Sequence, residues 1–117
     1  MVNNNVLYIN FISGGIFITK ILIGIPVYNE QAYLSECVSS LYEFINKECQ
    51  DYEISVLLVD DGSTDQSQEI YEESLAEIYP LTYTRHNRGP LGYGRTILTL
   101  FQKAKKNYDI LITFDAD

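Results

Sequence analysis

Ile54-Ser-Val-Leu-Leu-Val-Asp-Asp-Gly-Ser-Thr-Asp65 decides how the rest of this chain reads. Ile54 to Val59 is aliphatic and β-branched apart from Ser55, the composition of a strand covered on both faces of a parallel sheet. The run ends in two carboxylates, Asp60 and Asp61, followed by Gly62, which permits a sharp turn. Ser63 reads as a helix N-cap, and Gln66 three residues later completes a capping-box pattern. An apolar strand thus delivers two acids to its carboxyl end, the edge where ligands bind in open α/β sheets. The bland alternative is that Asp60 and Asp61 only cap the helix and complement its dipole.

The same unit recurs on either side. Ile21 to Val27 is a strand that runs into Pro26-Val-Tyr-Asn-Glu30, and Pro26, which cannot donate to a sheet ladder, marks where pairing stops. Leu34, Val38, Leu41 and Ile45 then recur at helical spacing, with Cys37 and Phe44 widening the stripe. Beyond the central stretch, Ile70, Tyr71, Leu75, Ile78 and Tyr79 mark a second helix stopped by Pro80. Leu81 to Arg85 alternates in polarity, as a short strand near an edge does. His86 to Arg95 is a loop holding Gly89, Gly92 and Gly94. A third helix carries Ile97, Phe101 and Ala104, with Leu98 and Leu100 alongside, and ends near Lys105-Lys106. Ile110 to Phe114 is a fourth strand, ending in Asp115-Ala116-Asp117.

Alternation of this kind implies an α/β, Rossmann-like, mostly parallel sheet with right-handed crossovers and helices on both faces. The expected order of the four strands, numbered along the chain, is 3-2-1-4. Tyr28 to Glu30, Asp60 to Asp65, Arg85 to Arg88 and Asp115 to Asp117 then share one edge. Capping does not explain four converging polar clusters. A ligand site does.

Composition narrows the partners. Sixteen acids against eight bases give a net charge of −8, which argues against a nucleic-acid backbone or an anionic membrane surface as the main partner. A phosphorylated ligand would need local positive charge or a divalent metal. Cys37 and Cys49 form no CxxC pair, and with His86 as the single histidine they read as ordinary thiols in a reducing, cytoplasmic compartment. Residues 1–19 are an N-terminal extension, read as a loose segment or an extra edge strand, while residues 20–117 form the domain proper. No apolar run in the extension reaches the ~18 residues of a membrane span, and its charge pattern is not that of a signal peptide. Contact with the cytoplasmic face of a membrane stays open.

The first strand is not followed by G-x-G-x-x-G, which disfavours a dinucleotide fold, and no P-loop pattern exists. A magnesium-binding receiver module is a rival, but it would place its paired acids after the first strand rather than the second. Pro26-Val-Tyr-Asn-Glu30, Val59-Asp-Asp-Gly-Ser-Thr-Asp65, the Asn87…Gly89…Gly92…Gly94 loop and Phe114-Asp-Ala-Asp117 together resemble the ordered motifs of inverting, nucleotide-sugar-dependent family-two glycosyltransferases. These have the GT-A fold and include dolichol-phosphate mannose synthases. The resemblance covers about Lys20 to Asp117.

That resemblance implies a UDP- or GDP-linked sugar donor, a lipid-phosphate or saccharide acceptor, and Mg2+ or Mn2+ as cofactor. It places Pro26, Tyr28 and Glu30 around base and ribose, Asp61 toward the base with Asp60 in support, and Asp115 and Asp117 as the metal-binding D-x-D. Residues two apart in an extended segment share a face, so both acids can approach one cation. Arg95, with Arg88 behind it, would add charge near the diphosphate. Members of the family continue past D-x-D with an acceptor-binding half that carries the catalytic base. The chain therefore reads as a truncated donor-binding half, with an open sheet edge prone to self-association. On its own it is expected to bind donor without transferring sugar, and a non-catalytic nucleotide-binding or interaction fragment is the alternative.

Overall fold

A computed structural model describes residues 6–10 and 18–116, with Asp117 outside that range. Its single sheet has five strands, β1 (Val6–Asn10), β2 (Lys20–Val27), β3 (Glu53–Asp60), β4 (Thr82–Arg85) and β5 (Ile110–Phe114). They lie in the order β1-β5-β2-β3-β4. The four strands read from sequence are β2 to β5, all parallel and in the expected order, because a helix between each and the next returns the chain to the same end.

The fifth strand is β1, antiparallel to β5 from Val6 opposite Phe114 to Asn10 opposite Ile110. The extension thus supplies the extra edge strand that was one of its two readings; residues 1–5 and 11–17 lie outside the described residues. It also covers the edge of β5 that was expected to be open.

Three helices clothe the sheet. Helix α1 (Leu34–Glu48) buries Leu34, Val38, Leu41 and Tyr42. Helix α2 spans residues 67–78 and widens to a π-helical stretch at Tyr71–Leu75. Both pack on one face against Ile21, Ile23, Ile25, Val27, Val56 and Leu58. Helix α3 (Tyr93–Asn107) covers the other face, where Leu100 and Ala104 meet Leu22, Leu57, Val59 and Leu111. The period-two alternation along β2 and β3 divides their side chains between these cores. Gly24 lies directly under Leu100: a Cβ there would overlap the leucine's branch atoms, so the helix rests on bare backbone.

Five local expectations need correction. Ser63 is not an N-cap, since α2 starts only at Ser67; the Ser63 hydroxyl instead accepts the Asn29 N–H at 2.9 Å, and Asp65 accepts the Ser67 N–H at 2.9 Å. Phe44 does not join the buried stripe of α1, because it falls on the solvent side of the helix. Ile78 and Leu98 are likewise exposed. The loop after β4 ends at Gly92, so Gly94 and Arg95 belong to the first turn of α3.

Candidate functional site

The carboxyl ends of β2, β3 and β5 and the start of α3 surround a cleft of about 330 Å³ lined by Pro26, Val27, Tyr28, Glu30, Asp61, Pro90, Gly92, Tyr93, Thr96, Asp115 and Ala116. Five residues singled out in the sequence meet here: Pro26, Tyr28, Glu30, Asp61 and Asp115. Asp60 and Arg95 do not line the cleft. Arg95 is exposed, because the helix has already begun at Tyr93 and residues two apart on a helix do not face the same way. Arg88 is exposed in the loop. Asp117 lies outside the described residues.

Asp60 and Asp61 are adjacent and do different things. Asp60 is fully buried. Its Oδ2 accepts the Tyr83 hydroxyl at 2.5 Å and Arg85 Nη1 at 3.1 Å, while Oδ1 accepts the Ser63 N–H at 2.8 Å. Arg85 also donates to the Ser63 carbonyl at 2.9 Å, so the acid and the arginine together fix the turn after β3. Burial and then the bond to Asp60 push the Tyr83 phenol well above its usual range.

Asp61 points the other way, into the cleft, with 5% of its surface exposed. Its Oδ1 accepts the Leu91 N–H at 2.9 Å and lies 2.8 Å from His86 Nδ1; Oδ2 accepts the Gly92 N–H at 2.9 Å. Burial raises the Asp61 carboxyl, but the bonds from Leu91, His86 and Gly92 outweigh it and hold the group below the usual carboxylate range. Neither aspartate caps α2, which removes the bland reading of the pair.

The loop that reaches over Asp61 requires its glycines. A Cβ on Gly89 would run into the Asp61 carbonyl, and one on Gly62 would lie 2.9 Å from the Gly89 backbone. Gly62 and Gly92 adopt φ of 83° and 105°, a region costly for other residues. Across the cleft, Tyr93 Oη lies 3.4 Å from Asp115 Oδ1, and burial followed by that carboxylate raises the Tyr93 phenol.

The strand-end loops are stitched together. Asn29, with φ of 53°, accepts the Thr64 and Asp65 N–H groups at 2.8 and 3.2 Å on its side-chain oxygen. The Glu30 N–H donates to Ser67 Oγ at 2.9 Å, and the Gln31 N–H to Asp65 Oδ2 at 3.1 Å. Sequence reasoning missed this clasp and the His86–Asp61 contact. The second was readable from register: β3 and β4 place Asp60 opposite Arg85, so the next pair outward is Asp61 and His86.

Three carboxylates, Glu30, Asp61 and Asp115, line the cleft, and no lysine, arginine or histidine does so among the described residues. A diphosphate entering such a site needs a cation to balance it. Asp115 is a hard oxygen donor of the kind Mg2+ or Mn2+ takes, and such ions accept one or two protein carboxylates beside phosphate and water. The chemistry of Asp115 fits such an ion, while no group of three or more acid, histidine or cysteine side chains is placed to hold one among the described residues. Among the described residues, no helix is long and apolar enough to cross a membrane.

A parallel sheet of this order, with an acidic cleft at its carboxyl ends, is the arrangement of the GT-A class of glycosyltransferases. The model of Glycosyl transferase family 2 matches residues 22–117, and the chain belongs to that family. It is 39% identical over 94 residues to the undecaprenyl-phosphate 4-deoxy-4-formamido-L-arabinose transferase of Aeromonas hydrophila subsp. hydrophila, covering 80% of this chain and 27% of that protein. The Proteus mirabilis transferase of the same name is 32% identical over 108 residues, covering 86% of this chain and 29% of the relative. The chain thus spans little more than a quarter of these relatives. Among solved structures, the mannosyltransferase PcManGT from Pyrobaculum calidifontis, in complex with GDP-Man and Mn2+, superposes with a TM-score of 0.70 at 26% identity, covering 87% of this chain and 28% of that one. S. aureus TarS 1-349 in complex with UDP gives 0.66 at 26% identity, covering 85% and 28%.

Proposed function

We propose that this chain is the donor-binding part of a glycosyltransferase that takes a sugar from a nucleoside diphosphate and passes it to a lipid phosphate. The observation that supports the reading is the cleft itself, lined by Glu30, Asp61 and Asp115 and by no cationic side chain among the described residues. Pro26 and Tyr28 form an apolar wall for base and ribose, and Glu30 is placed to accept a ribose hydroxyl. Asp115, joined by Asp117, would hold Mg2+ or Mn2+, which when bound neutralises the diphosphate as it departs. In the transfer, the bond from the sugar's C1 to the diphosphate oxygen breaks and the acceptor oxygen bonds to C1, its proton passing to a base. Asp61 and Asp60 take no part in that exchange; they keep the donor's nucleoside end fixed while C1 reacts.

The undecaprenyl-phosphate transferases among the relatives support a polyprenyl phosphate as acceptor. UDP in one structural neighbour and GDP-Man in another support a uridine or guanosine donor. Isothermal titration with UDP and GDP, each with and without Mn2+, tests the reading. Measurable affinity for one of them, strengthened by the metal, is expected. Negligible heat in all four titrations overturns it.

A further inference from the structure

We propose that His86 is a positioning residue for Asp61, fixing its carboxylate so that the cleft selects nucleobases that present a ring N–H. The inference rests on the nucleotide-binding reading above and deepens it.

An ionised carboxylate is a pure acceptor with about four lone-pair directions. In Asp61 three are used inside the protein: Leu91 N–H and the His86 ring take Oδ1, and Gly92 N–H takes one side of Oδ2. The direction not taken inside the protein is the second lone pair of Oδ2, on a residue that lines the cleft. Because the carboxylate accepts only, His86 Nδ1 must carry the hydrogen. Uracil and guanine offer a ring N–H to such an acceptor. Cytosine and adenine place a ring nitrogen lone pair at the corresponding position, which the carboxylate repels.

The histidine is held at every polar atom. Its Nε2 lies 2.9 Å from Thr99 Oγ1, and that hydroxyl lies 3.1 Å from the Arg95 carbonyl, tying the ring to α3. Its backbone N–H donates to the Asp60 carbonyl at 2.8 Å, and its carbonyl accepts the Gly89 N–H at 2.9 Å. A ring so fixed cannot swing away from Oδ1. With the ring gone, only the Leu91 and Gly92 N–H groups hold the carboxylate, which is then freer to turn and presents Oδ2 less squarely to the base, so the discrimination weakens.

The experiment measures affinities in the presence of Mn2+ for two pairs, UDP against CDP and GDP against ADP, in the 117-residue protein and its His86→Asn, His86→Gln and His86→Leu variants. Wild type should prefer the N–H-bearing base of at least one pair by about tenfold, the worth of one charge-assisted hydrogen bond. His86→Asn, whose amide nitrogen reproduces Nδ1, should keep most of that ratio, whereas His86→Leu should lower it severalfold. A merely structural histidine would instead lower affinity for both members of a pair alike, and that result overturns the proposal. If His86→Leu does not fold, the other two variants decide. Glutamine reaches toward Thr99 rather than Asp61 and should lose the ratio that asparagine keeps; equal ratios refute the assignment. Wild-type protein that binds both members of each pair equally sinks the proposal and leaves the functional reading standing. Wild-type protein that binds none of the four overturns both.

Discussion

The side-chain oxygen of Asn29 lies 2.8 Å from the backbone nitrogen of Thr64, 35 residues further along the chain. That contact helps join the end of β2 to the turn after β3, and Asn29 makes it from a backbone at φ of 53°. Asparagine is among the few non-glycine residues that tolerate this region. Asn29→Ala loses the hydrogen bonds and keeps the unfavourable backbone, so we expect a loss of about 1–3 kcal/mol. Asn29→Gly relieves the backbone and should cost less. Urea denaturation of the two variants checks the order; glycine more destabilising than alanine would show that the backbone conformation is not the issue.

The contact between Gly24 and Leu100 yields a second expectation. Gly24→Ala forces a methyl into the space of a fully buried leucine and should cost about 1–3 kcal/mol. Leu100→Ala leaves a cavity and should cost about 2–5 kcal/mol. In the double variant the new methyl occupies space the leucine vacated, so the combined loss should fall about 1 kcal/mol or more short of the sum. Strict additivity in a double-mutant cycle would mean the two positions do not share that space.

Much of this arrangement was legible in the sequence because it rests on periodicity. Leu34, Val38 and Leu41 on α1, Ile21 to Val27 on β2 and the aliphatic run of β3 are each dictated by burial, and alternation with helices then leaves little choice of strand order. That polar strand ends would meet at one edge followed from the alternation, while the choice of Pro26, Tyr28, Glu30, Asp61 and Asp115 among them came from the family resemblance. What escaped was local competition for hydrogen bonds. Ser63 and Gln66 make a capping box on paper, but Asn29 and Gln31 arrive from another strand end; Asn29 gives its N–H to Ser63 and Gln31 accepts the Gln66 N–H at 2.9 Å. A helix start read from one segment cannot see that. The loop was carried too far, to Arg95, for a related reason, since nothing local shows whether a glycine-rich stretch remains a loop or has begun to coil.

Asp60, Tyr83 and Arg85 form a buried unit whose parts are not equivalent. Asp60→Ala strands the Arg85 cation, the Tyr83 hydroxyl and the Ser63 N–H together. We expect a loss of about 3 kcal/mol, at the low end for a broken buried pair because the arginine keeps partial access to water. Tyr83→Phe removes one donor and leaves the carboxylate paired, so about 1 kcal/mol is expected. Thermal melts of both variants check this. A tyrosine variant that loses as much as the aspartate variant would place the weight on the ring stack of Tyr83 with Tyr71, 4.5 Å apart, rather than on the ion pair.

Asp61 should also govern how stability responds to acid. Its carboxyl is held below the ordinary value in the folded chain, against the pull of burial, by Leu91, His86 and Gly92. Asp65 is lowered too, burial being outweighed by bonds from the Ser67 side chain and backbone and from the Gln31 N–H. A group whose folded pKa is depressed binds its proton more readily in the unfolded chain. Its contribution is therefore complete above the unfolded value of about 3.9 and is lost as pH falls through the folded value. We expect urea midpoints to be flat with respect to these two groups at neutral pH and to drop below about pH 4. Asp61→Asn has no carboxyl to titrate and should be less stable at neutral pH, because its amide nitrogen cannot accept what Oδ2 or Oδ1 accepts. Its stability should also change less between pH 5 and pH 3 than that of the wild type. Parallel pH profiles for the two proteins would show that the Asp61 carboxylate is not held by the loop that closes over it.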